Sequence, residues 1–124
     1  RGHRFSNDDI FTAWRACLHH PEARTLLDIG SGIGSVGLST LAKMRNPQAT
    51  LVGIEAQEVS WQLASASRKF NGLEKRVTFL RGDLRDSEAV LKAHVKAAGY
   101  GRPLGNGDSP GDSESAVLFD LITG

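Results

Sequence analysis

Asp28-Ile29-Gly30-Ser31-Gly32-Ile33-Gly34 decides the fold. It follows Thr25-Leu26-Leu27, and the combined apolar run Thr25 to Ile29 ending in alternate glycines reads as a buried parallel strand entering a tight turn. Without Cβ atoms such a turn reaches backbone angles other residues avoid, and a ligand can approach the main chain closely. From about Gly34 the residues Gly37, Leu38, Leu41 and Ala42 keep helical period until Asn46-Pro47, and Thr50-Leu51-Val52-Gly53-Ile54 reads as a second strand. The unit is β-α-β.

Working outward, the pattern repeats. Val59, Leu63, Ala66 and Phe70 line a helix that Asn71-Gly72 ends, and Val77-Thr78-Phe79-Leu80 forms a third strand. Upstream, Ser6-Asn7-Asp8 offers capping side chains to a helix carrying Ile10, Phe11, Trp14, Cys17 and Leu18 on one face and stopped by Pro21. Trp14 and Trp61 are read as core or helix-packing residues. Downstream, a helix begins at Asp86-Ser87, runs through Leu91, Val95 and Ala98, and ends at Gly99. Residues 99–115 are dense in Gly, Pro, Ser and Asp, which predicts a mobile polar loop. Val117-Leu118-Phe119-Asp120-Leu121-Ile122 reads as strand four.

The fold class is therefore α/β, a Rossmann-like doubly wound parallel sheet in the order 3-2-1-4, with helices on both faces and a ligand at the carboxyl ends of strands one to three. The expected organisation is one partial domain over 1–124: a helical segment 1–20, a βαβαβα core 24–98, the loop 99–115, and strand four at 116–124. The stop after strand four reads as truncation before strand five, leaving an apolar edge prone to association. The oligomeric state stays open.

A formal net charge of +1 sets up no field that demands a nucleic acid or an anionic membrane. The single cysteine, Cys17, has no internal disulfide partner, which suits an intracellular, cytoplasmic protein. No apolar run reaches the roughly 20 residues that span a bilayer. His3, His19, His20 and His94 lack metal-ligand spacing and are assigned nothing. Arg68, Lys69, Lys75 and Arg76 read as a solvated helix end.

Glu55 ends strand two about 20 residues past the glycines, where a carboxylate can accept two hydrogen bonds from a ribose diol. An adenosine-containing ligand follows. Gly32-Ile33-Gly34-Ser35-Val36-Gly37 also matches the dinucleotide fingerprint, but begins three residues past the strand; starting from Gly30 puts Ser35 where the third glycine belongs. Asp83, after strand three, is placed to accept from an adenine amine, or else to cap the next helix.

These residues resemble the small-domain class I S-adenosylmethionine-dependent methyltransferases that act on the exocyclic amine of adenine in tRNA. The matches are Arg4-Phe5-Ser6-Asn7-Asp8, Leu27 to Gly34, Gly53-Ile54-Glu55, Asn71-Gly72-Leu73 with Arg76-Val77, Gly82-Asp83-Leu84 and Phe119 to Ile122. The resemblance implies a cofactor site of Asp28, Gly30, Ser31, Gly32, Gly34, Glu55, Ala56, Asp83 and Leu84, with Arg4 to Asp8 beside the methionine end. It implies S-adenosylmethionine or S-adenosylhomocysteine as ligand, RNA as substrate of the intact protein, and no metal. The 99–115 loop is longer than the family's usual link. The family's substrate motif, an Asn, Asp or Ser followed by Pro-Pro and an aromatic, would begin after Gly124, so the fragment is expected to bind cofactor without transferring its methyl group. The alternatives are glutamine N5 methylation of a protein, a non-catalytic cofactor-binding subunit, and an NAD-binding domain.

Overall fold

A computed structural model of the chain describes residues 5–90, 92, 95 and 119–124. Expectations for Arg4, the far end of the third helix, the 99–115 loop and Val117-Leu118 lie outside the described residues.

The elements are α1 (Asn7–His19), β1 (Thr25–Ile29), α2 (Ser35–Lys43), β2 (Thr50–Glu55), α3 (Glu58–Phe70), β3 (Val77–Arg81) and β4 (Leu121–Thr123). A helical segment at 87–90 follows β3, its start held by the Asp86 carboxylate accepting from the Glu88 amide. The sheet is parallel throughout and ordered β3-β2-β1-β4, as the sequence predicts. Leu26 sits between Leu51 and Leu121 across the strands, and Ile54 faces Leu80.

Alternation along the strands builds two apolar layers. Leu26, Leu51, Val77, Phe79 and Leu121 pack with Leu41 of α2 and Ala64 of α3. Leu27, Val52 and Ile54 point the other way, joined by Ile29, Leu80 and Phe119. Every residue of β2 is buried, as befits a strand with neighbours on both edges and layers on both faces.

Two expectations change. The large apolar side chains of α1 do not face the core: Phe11 is 65% exposed and Trp14 54%, while Asp9 and Ala13 are buried. The helix meets its neighbour through small side chains instead, with Ala16 against the core and the Cys17 thiol donating to the Thr40 carbonyl of α2 at 3.4 Å. Burial raises the Cys17 pKa, partly offset by Lys43. The same holds on α3, where Ser60 and Ala64 are buried, Val59, Leu63, Ala66 and Phe70 are exposed, and Trp61 alone of its expected packers reaches the core, donating from Nε1 to the Phe79 carbonyl at 2.7 Å.

Strand four is also shorter than read: Phe119 and Asp120 precede it. The Asp120 carboxylate accepts from the Arg24 and Thr25 amides at 2.7 and 3.2 Å, which ties the incoming chain to the start of β1 before the ladder begins at Leu121.

Gly34 caps α2 in the left-handed region at φ +86°, and an added Cβ would lie 2.8 Å from the Phe79 ring and 3.2 Å from Leu38. Gly72 has φ +65° with open space around it. Gly34→Ala should therefore cost about 2–4 kcal/mol in urea unfolding, from backbone strain plus overpacking, against about 1–2 kcal/mol for Gly72→Ala from strain alone. Equal costs would contradict the packing assigned to Gly34.

Candidate functional site

Asp28 is 1% exposed near the end of β1. One carboxylate oxygen accepts the Gly37 amide of α2 at 3.1 Å, and the other accepts the Thr123 hydroxyl of β4 at 2.9 Å. Burial raises its pKa, against which the Thr123 and Gly37 hydrogen bonds act, while Asp9 and Glu55 add to the rise. Asp28 thus holds the floor of the glycine turn.

The turn itself is fixed by its backbone. Gly30, Gly32 and Gly34 take φ of 62°, 55° and 86°. The Ser31 amide donates to the Ile54 carbonyl at 2.9 Å, and the Gly32 amide donates to Glu55 Oε2 at 2.7 Å. Glu55 Oε1 accepts the Gln57 amide ahead of α3 at 2.7 Å. Each of these carboxylate oxygens keeps a further lone pair for a ligand donor. The Ser31 hydroxyl is buried with no hydrogen-bond partner among the described residues.

A cleft of about 280 Å³ opens over the ends of β1 and β2. Its floor is Asp28, Gly30, Ser31 and Gly32; Ser35 and Val36 of α2, Asp8, Asp9 and Thr12 of α1, Glu55, Gln57 and Ser60, and Gly124 form the walls. No atom of the described residues lies within 4 Å of the position a Gly30 Cβ would take, so the main chain there is open to a ligand. Among the described residues four carboxylates and no Lys, Arg or His line the cleft, which favours a ligand bearing positive charge.

The expected site residues divide. Asp28, Gly30, Ser31, Gly32 and Glu55 meet in this cleft, whereas Gly34 faces the core, and Ala56, Asp83 and Leu84 are not among its lining residues. Asp83 lies beyond β3, clamped by the Arg85 guanidinium, which with the Arg85 amide holds its pKa down at about 2. Asp9, Thr12, Ser35, Val36, Gln57, Ser60 and Gly124 escaped the sequence reading; of these only Asp9 carried a signal, standing three residues after Ser6 as in a capping box. Asp8 had been placed near the ligand and does line the cleft. A wider hollow of about 590 Å³, at His19 to Arg24 and Asp120, sits at the opposite end of the strands. Among the described residues no helix is long and apolar enough to cross a membrane, and no group of three His, Cys, Asp or Glu side chains is arranged to hold a metal.

A family model described as methyltransferase small domain matches residues 5–94. The chain is 27% identical over 109 residues to the release factor glutamine methyltransferase of Aliivibrio fischeri, covering 83% of this chain and 35% of that protein. It thus spans about a third of the curated relative's length. Among solved structures it resembles an O-methyltransferase from Bacillus cereus in complex with S-adenosylhomocysteine, with TM-score 0.60, 22% identity, and coverage of 74% of this chain and 41% of the other. The N-terminal domain of EvdMO1 with S-adenosylhomocysteine bound gives TM-score 0.59 at 20% identity, covering 73% and 43%. These likenesses establish the fold.

Because burial raises the Asp28 pKa, its contribution to stability is full below the ordinary aspartate value and is lost as pH rises through the folded value. Asp28→Asn removes that titration. Urea unfolding at pH 4 and pH 7 should therefore show the variant gaining on the wild-type protein as pH rises; a difference independent of pH, or one moving the other way, would contradict the burial effect.

Proposed function

We propose, on the premise that the chain belongs to the methyltransferase small domain family of class I S-adenosylmethionine-dependent enzymes, that its residues 1–124 are the cofactor-binding portion of an N-methyltransferase. The observation that carries the reading is the cleft that brings the main chain at Gly30 and the Glu55 carboxylate together with three further carboxylates, Asp8, Asp9 and Asp28.

The residues suit the cofactor. Glu55, already oriented by the Gly32 and Gln57 amides, accepts from the ribose hydroxyls with its remaining lone pairs. Gly30, Ser31 and Gly32 let the ligand lie on the backbone, and the Ser31 hydroxyl gains a partner. Asp8 and Asp28 stand at the end that carries positive charge. Asp83 and Leu84 are assigned to the adenine, with the amine competing against Arg85 for Asp83. When bound, the cofactor supplies a methyl group on a sulfonium, a leaving group already activated, so the protein's task is to position donor and acceptor. The reading gives no role to a metal or to a covalent nucleophile.

The acceptor we favour is the exocyclic amine of adenine in RNA, on the resemblance of Arg4 to Asp8, Gly53 to Glu55 and Gly82 to Leu84 to that family. A protein glutamine amide is the second reading, supported by the similarity to the release factor glutamine methyltransferase. Both acceptors present a nitrogen whose lone pair is delocalised.

Calorimetric titration of this chain should give saturable binding of S-adenosylhomocysteine and none of NADH. Glu55→Ala should weaken the former about tenfold or more, as loss of hydrogen bonds to a charged acceptor requires. Binding of NADH in its place would contradict the assignment.

A further inference from the structure

Asp9 is a carboxylate 6% exposed, on the first turn of α1, yet its bonds reach beyond that helix. Its Oδ2 accepts the Ser35 hydroxyl at 2.7 Å and the Ser6 amide at 3.3 Å. Ser35 is the first residue of α2, directly after the glycine turn. The carboxylate is therefore shared between the N-termini of two helices, where the partial positive charge of each favours it.

The cleft has two ends. Glu55 and Gln57 lie at one, over β2; Asp8 and Thr12 of α1 and Gly124 after β4 lie at the other. A nucleoside whose ribose sits on Glu55 sends its amino-acid group toward the α1 end. That end exists as a wall only while α1 is docked against the turn, and the large side chains of α1 contribute little to docking because they face solvent.

We propose that the Asp9–Ser35 hydrogen bond is a latch that sets the position of the first turn of α1, so that Asp9 is a positioning residue for the amino-acid group of the cofactor and acts through Ser35. The inference rests on the cofactor reading above. The latch fixes where Asp8 and Thr12 stand relative to Gly30 and Gly32, and leaves the ribose contact at Glu55 untouched.

The test titrates wild type, Asp9→Ala, Ser35→Ala and the double variant with two ligands: S-adenosylhomocysteine, and 5′-methylthioadenosine, which keeps the nucleoside and lacks the amino-acid group. Each single change should weaken S-adenosylhomocysteine about tenfold, and the double variant no further than Asp9→Ala, because both break the Asp9–Ser35 bond and Asp9→Ala also releases the Ser6 amide. Affinity for 5′-methylthioadenosine should stay within about twofold, a change too small for a lost hydrogen bond. Asp9→Asn, which keeps an acceptor oxygen, should restore S-adenosylhomocysteine to within about threefold of wild type. Ser35→Ala deletes only a hydroxyl and decides the matter alone if Asp9→Ala does not fold. Equal losses for both ligands, unchanged S-adenosylhomocysteine binding, or losses that multiply in the double variant would overturn the latch and leave the cofactor reading standing. Wild-type protein binding neither ligand would overturn both.

Discussion

The Asp28 carboxylate joins three parts of the chain that are distant in sequence. It takes one hydrogen bond from the main chain of α2 and one from the side chain of Thr123 in β4, while sitting in β1. A buried carboxylate is tolerated only when its lone pairs are met, so each donor is held to its place as firmly as the acceptor. The constraint propagates. Gly37 has to lack a side chain, since a Cβ there would stand 2.8 Å from the Asp28 oxygen, and α2 accepts the roughly 1 kcal/mol that an internal glycine costs a helix. Thr123 in turn brings Gly124 to the edge of the cleft.

Glu55 repeats the device one strand over. Its carboxylate ties the glycine turn to the segment before α3, and the Ser31 amide adds a bond to the end of β2. The turn is thus anchored from below by Asp28 and from the side by Glu55, and at its far end Gly34 sits close under the Phe79 ring. The result is a ligand floor that exposes main chain at Gly30 and Gly32. The carboxylates needed for that framework also make the cleft acidic, so scaffold and electrostatics share the same residues.

How much of this the sequence disclosed follows from which interactions are local. Strand order and the β-α-β units were readable because apolar runs ending in glycine or acid are short-range signals, and the TLLDIGSGIG stretch carried them. Helical period was readable too, but its phase was not. Trp14 and Phe11 look like the buried face of α1, yet Ala13, Ala16 and Cys17 form a second apolar face that approaches α2 more closely. Nothing in the spacing says which face has the neighbour. In the site, Gly30, Gly32 and Glu55 were legible because their roles follow from strand ends. Gly34 was legible as a glycine, but the Phe79 ring over it belongs to tertiary packing. Asp9 and Gly124 reach the cleft only through the docking of α1 and β4, a tertiary arrangement that strand and helix periods do not record.

The most direct test of the account is amide chemical-shift mapping of the isotope-labelled chain during titration with S-adenosylhomocysteine. The largest changes are expected at Gly30, Gly32, Gln57 and Gly124, around one cleft, with His19 to Arg24 at the opposite end of the strands unmoved. Shifts concentrated at His19 to Arg24 and Asp120, with the glycine turn silent, would contradict it.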